Sequence, residues 1–116
     1  MGRQKGFTLV ELMIVICIIG ILASIAALSM TSYRTRGYNM LARSDIKNAF
    51  TASQAYFIDN PAGNITEANL SNYGFRTSDG VTVTVNDGTV GNLELTSVHT
   101  TGDTTYTIDK NGLISP

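Results

Sequence analysis

The stretch from Phe7 to Met30, FTLVELMIVICIIGILASIAALSM, constrains this chain more than any other. It holds one charged residue, Glu11, and from Leu12 to Leu28 there is none. At roughly 1.5 Å per residue those positions make a helix ~26 Å long, close to the ~30 Å hydrocarbon thickness of a bilayer. Such a segment can span a membrane. The carboxylate near its start then needs a partner, because an ionisable group in hydrocarbon is costly.

With 116 residues the chain has room for one modest domain, and the apolar stretch with its helical continuation takes up nearly half of it. Charge is unevenly spread. Arg34, Arg36, Arg43 and Lys47 form a basic band just past the apolar run, suited to phospholipid head groups. After Pro61 the only basic residues are Arg76 and Lys110, against Glu67, Asp79, Asp87, Glu94, Asp103 and Asp109. That acidic field repels phosphates, so no specific nucleic acid is expected as a partner. Cys17 stands alone inside the apolar run and reads as a small hydrophobe, so no intrachain disulfide is available. His99 is the single histidine and has no nucleophile beside it in any motif, which argues against catalysis. No catalytic residue, metal site or cofactor is expected.

Ahead of the apolar run lies a short basic segment, MGRQKG. An ordinary secretory signal has a shorter apolar region and a small-residue cleavage site after it. Here the run is too long, and the small residue that stands out, Gly6, precedes it. Cleavage after Gly6 would leave Phe7 as a new N-terminus, with its amine four positions before Glu11. No basic side chain lies within the apolar run, so that amine is the available cation. It could meet the Glu11 of its own chain or that of a neighbour. A glutamate that only marks the membrane interface is the alternative.

The residues KGFTLVELMIVICIIGILASIA resemble the N-terminal signature of type IV pilins and their relatives, the pseudopilins of type II secretion. The resemblance implies that residues 1–6 are a prepilin leader and that an inner-membrane prepilin peptidase cleaves after Gly6 and methylates Phe7. It also implies that Glu11 matches the family's conserved glutamate. The precursor would sit in the inner membrane with a cytoplasmic leader. An assembly platform and its ATPase machinery would then build a homopolymer through the N-terminal helices, giving an extracellular pilus. Family members usually carry proline eight residues beyond Gly20, where this chain has Leu28. SYRTRGYNMLARSDIKNAF is similar in particular to type IVa major pilins of metal-reducing bacteria, whose filaments have been proposed to carry electrons. Tyr33, Tyr38, Phe50, Tyr56 and Phe57, with Phe7, are the aromatics such a role would use; packing against neighbouring helices and the head is the plainer reading.

Beyond Met30 the pattern becomes amphipathic. Ala42, Ile46, Ala49, Phe50, Ser53 and Phe57 recur at helical spacing. The helix is therefore expected over 7–59, with 7–30 as membrane span and filament core and 31–59 as an amphipathic continuation, until Asn60-Pro61 stops it. Residues 60–116 form the head. Thr66 caps a short turn over Glu67 to Leu70, and the triplets at Asn64 and Asn69 are candidate glycosylation acceptors on exposed loop. Val81, Val83 and Val85 alternate with threonines as in a half-buried strand. Asn86-Asp87-Gly88 reads as a turn, Leu93, Leu95 and Val98 as a second strand, Tyr106 and Ile108 as a third. Asn111-Gly112 predicts a hairpin turn before a last strand at Leu113 and Ile114. The expectation is an α+β pilin fold, a long N-terminal helix whose second half packs on a small antiparallel sheet of three to four strands. In some pseudopilins a C-terminal calcium site occurs, for which Asp103 or Asp109 would be the ligands here, but no dense run of oxygen ligands is present.

The resemblance implies a structural subunit of a type IV pilus serving adhesion, motility or extracellular electron transfer. Two other readings remain: a pseudopilin of a type II secretion system, and a membrane-anchored binding module that never polymerises.

Overall fold

A computed structural model describes residues 6–116, so that of the leader expected at 1–6 only Gly6 lies among the described residues. The chain divides into two units, one ending at Arg34 and the other spanning Thr35–Pro116. A single helix, α1, runs Leu9–Asp59 and belongs to both.

In the first unit every described residue is exposed, from Gly6 to Arg34. The helix here is made by Leu, Ile, Met and Ala, and its apolar side chains cover all sides rather than one stripe, so it is long and apolar enough to cross a membrane. Gly20 and Leu28 lie within the continuous helix. The Ser24 hydroxyl donates to the Gly20 carbonyl at 2.8 Å, satisfying the side chain inside an apolar stretch.

The second unit has a true core. Residues 39, 42, 45, 46, 49, 52, 53 and 57 of α1 are buried, a stripe at spacings of three and four. Against it lies a four-stranded antiparallel meander in the order β1-β2-β3-β4: β1 Val81–Asp87, β2 Glu94–His99, β3 Thr105–Asp109 and β4 Ile114–Ser115. Register pairs Val83 with Ser97 and Ser97 with Tyr106, then Val85 with Leu95 and Leu95 with Ile108. These positions share the inward face because side chains alternate along a strand. Ile46, Leu95, Ile108, Ile65 and Leu70 are almost wholly enclosed. A short helix, α2, Glu67–Asn72, opens on a capping box in which Thr66 and Asn69 bond each other's backbone N–H groups. Helix α1 stops at Asp59 because the residue before Pro61 is driven from helical geometry.

Three details differ from the sequence expectation. Strand β1 continues through Asn86 and Asp87 across an irregularity in the ladder, and the turn falls later, at residues 90–92; the Asp87 carboxylate accepts the Thr89 N–H at 2.9 Å. In β2 it is Ser97 and His99 that face the helix, while Val98 faces out. The final strand is Ile114–Ser115, and Leu113 is exposed in the turn before it. That turn places Gly112 at φ +80°, where a side chain is strained, with the Phe50 ring lying against it.

Two substitutions probe this core. Ile46→Ala removes a fully enclosed side chain and is expected to cost about 2–5 kcal/mol. Gly88→Ala would drive a methyl into the Ile65 carbonyl and the Asn64 side chain, at a cost of about 1–3 kcal/mol. Thermal unfolding of the detergent-solubilised chain, followed by tyrosine circular dichroism, measures both.

Candidate functional site

The two ends of α1 present different chemistry. At its start Phe7 is 87% exposed and Glu11 is exposed. Thr8 and Glu11 form a reciprocal pair: the Thr8 hydroxyl accepts the Glu11 N–H at 3.1 Å, and the Glu11 carboxylate accepts the Thr8 N–H at 3.3 Å. This is a capping box, and it also sets a negative charge at the positive end of the helix dipole. Glu11 thus has a local partner in a chain where Phe7 carries a peptide nitrogen. The Thr-x-x-Glu spacing was available in the sequence as the signal for this contact.

Polar residues fasten the sheet to the second half of the helix. The buried Ser97 hydroxyl donates to the Ala42 carbonyl at 2.8 Å. Asn39 donates to the Asp103 carboxylate at 2.7 Å and accepts the N–H groups of Asp103 and Thr104 at 3.1 and 3.3 Å. The buried Asp45 carboxylate accepts the Ser78 N–H at 2.6 Å and the Ser78 hydroxyl at 2.9 Å. Hydropathy alone hides these residues. Asn39 and Asp45 nevertheless stand at helical spacing from Ala42 and Ala49, and Ser97 stands two residues from Leu95, so position was the clue.

The aromatics of the second unit are engaged within it. Tyr38 stacks on His99 with ring centroids 4.3 Å apart, and the His99 Nδ1 accepts the Thr101 N–H at 2.9 Å. Tyr56 meets Phe57 and Tyr73 edge-on at 5.5 and 5.7 Å, and the Tyr73 hydroxyl donates to Asp59 at 2.8 Å. Phe57 is buried, while Tyr33, in the first unit, is exposed. Asp109 accepts the N–H groups of Asn111 and Leu113 in the hairpin turn, at 2.9 and 3.0 Å. Asn69 caps α2, and Asn64 bridges to Thr89. Among the described residues no group of three or more His, Cys, Asp or Glu could hold a metal.

An apolar helix that its own chain leaves bare, capped by a threonine and a glutamate, continues into a small sheet-bearing head, and together they give an α+β, pilin-like architecture. Comparison with known proteins agrees. The prokaryotic N-terminal methylation motif matches residues 1–27. The chain is similar to the type IV major pilin protein PilA of Myxococcus xanthus, 44% identical over 47% of this chain and 25% of that protein. It is 36% identical to the fimbrial protein EcpC of Eikenella corrodens over 95% of this chain and 66% of that protein. It is also 38% identical to type II secretion system core protein G of Pectobacterium carotovorum, over 59% of this chain and 44% of that protein. The chain therefore spans between a quarter and two thirds of the length of these relatives. It belongs to the type IV pilin family, which takes in the type II secretion pseudopilins.

Three carboxylates of the head are held below the usual carboxylate range. The Val85 N–H, donating to Glu67 at 2.8 Å, lowers that group; the Asn39 amide lowers Asp103; the Thr89 hydroxyl and N–H lower Asp87. A depressed carboxylate contributes stability that is present above its unfolded value and lost as pH falls through the folded one. The melting temperature of the head should accordingly hold near neutrality and fall as pH drops below about 4. Glu67→Gln should flatten part of that decline. Asn39→Ala, which strands two N–H groups, should cost about 1–3 kcal/mol at pH 7.

Proposed function

We propose that this chain is the structural subunit of a type IV pilus, cleaved after Gly6 by a prepilin peptidase, methylated at Phe7 and polymerised from the inner membrane into a helical surface filament. One observation carries the reading: the match to the N-terminal methylation motif, over residues 1–27, takes in most of an apolar helical stretch exposed on all sides. Each Leu, Ile, Val or Met left in water forgoes about 1.5–3 kcal/mol of burial, so the segment needs a bilayer before assembly and other copies afterwards. Residues 1–6 are the leader, 7–30 the span and filament core, 31–59 the amphipathic part of the helix, and 60–116 the head.

Processing changes the company of Glu11. Before cleavage its carboxylate caps the helix with Thr8. Afterwards the Phe7 amine is a cation close by, on the same chain or a packed neighbour, and pairing between subunits would fix their axial stagger. Tyr38, Phe50, Tyr56 and Phe57 are read as packing groups, since each rests on neighbours in the head, whereas Tyr33 and Phe7 are exposed and available to another subunit. Adhesion or motility is favoured over electron transfer on that ground.

The similarity to a type II secretion core protein supports a second reading, in which the same architecture builds a short secretion filament. Electron microscopy of sheared surface material, with mass spectrometry of the N-terminus, separates the readings. Long filaments of chains beginning at methylated Phe7 support the pilus. Processed chains without surface fibres favour the secretion filament, and unprocessed chains favour a simple anchored module. For Glu11 two variants distinguish cap from charge. Glu11→Gln keeps a side chain able to complete the capping box and is expected to insert normally yet to lower filament yield about tenfold, as Glu11→Leu does. Normal yield from Glu11→Gln would assign the residue to capping alone.

A further inference from the structure

A groove of about 900 Å³ runs between α1 and the outer strand β4 of the head. Its floor is formed by Phe50, Ile108 and Ile114, and its rims by Met40 and Leu113, which are 50% and 68% exposed. Along the helix wall stand Arg43 and Lys47. With Arg36 they fall at spacings of seven and four, so three cations share one exposed face. The groove is apolar at its base and positive along one side.

The same unit carries a surface of opposite sign. Asp87 is the register partner of Glu94, and Glu94 of Asp109, so three neighbouring strands bring three carboxylates side by side at one end of the sheet. Lys110 lies beside them. Local bonds keep the row in place: Asp87 holds Thr89, Glu94 accepts from Asn86 at 3.3 Å, and Asp109 holds the hairpin turn. Leu93 lies beneath the row and is fully enclosed.

We propose that the groove receives the carboxylate row of a second copy of this chain, with Arg43 and Lys47 facing Glu94 and its neighbours. Charge complementarity selects that occupant: past Pro61 the head carries six acidic residues against two basic ones, while the groove wall is cationic. The two surfaces are different patches of one molecule. Their contact is head-to-tail, and contacts of that kind propagate rather than close when the rotation does not complete a ring. In a polymer each groove also meets its neighbour at high effective concentration, so a contact too weak to dimerise free subunits still forms. The inference rests on the polymer reading and adds to it a second interface, between heads, beside the one made by the helices.

The test uses whole cells and sheared filaments. Lys47→Glu and Glu94→Lys are each expected to lower filament yield about tenfold, and both changes in one chain to restore it, because the reversed charges meet between copies. Normal yield from Lys47→Glu overturns the proposal, as does a double variant no better than the singles. A second measurement does not depend on assembly being impaired. Lys47→Cys and Glu94→Cys, in separate co-expressed chains that also carry Cys17→Ser, should give a mixed disulfide dimer when sheared filaments are oxidised. Filaments that form without the mixed dimer, or that join Lys47→Cys to a different polypeptide, overturn the groove contact and leave the polymer reading standing. If the unsubstituted chain makes no filament while it is processed and present in the membrane, both readings fail.

Discussion

A helix that is apolar on every side at its start and apolar on one side thereafter must satisfy two solvents. The second half of α1 meets its need within the chain, because a stripe from Asn39 to Phe57 lies under a four-stranded meander. The first half does not, and all of its described residues remain bare. The rest of the molecule is a response to that division. Four short strands are too few to enclose a core of their own, so the sheet borrows the helix as its other layer. The head is thereby built on an element whose first half finds no cover within its own chain.

Much of this is legible in the sequence, because the strongest signals are periodic. The change from uniform hydrophobicity to a stripe at spacings of three and four is visible at Ala42, Ile46, Ala49 and Ser53, and all four are buried. The valine alternation of β1 and the Asn-Gly turn before β4 are equally local. What escapes is the long-range polar seam. Ser97 and His99 occupy the inward face of β2 because each has a partner in the helix, Ala42 and Tyr38, which lie more than fifty residues away in sequence. Val98 then faces outward, against its hydropathy, since Leu95 sets the phase and alternation does the rest. At the candidate site the Thr-x-x-Glu spacing is plain, but a lone carboxylate in an apolar run draws attention to its missing cation before its cap.

The polar seam explains how so small a head holds one orientation. An apolar helix face against an apolar sheet is tolerant of sliding, whereas Asn39, Asp45 and Ser97 each accept one geometry. Buried polar groups that are fully partnered specify a packing even where they add little to stability, and among the described residues no buried side-chain polar atom lacks a partner. A shift by one residue would leave all three unmatched at once.

Helix α2 has a consequence for how copies of this chain can meet. Strand β1 is the first strand of the sheet and has a neighbour on one side only. Its Val85 N–H points away from β2 and is taken by the Glu67 carboxylate. Open strand edges are templates on which identical chains zip together, and a charge placed over the edge blocks that route. Glu67 thereby places a charge over this edge, which disfavours pairing of β1 with the same strand of another copy.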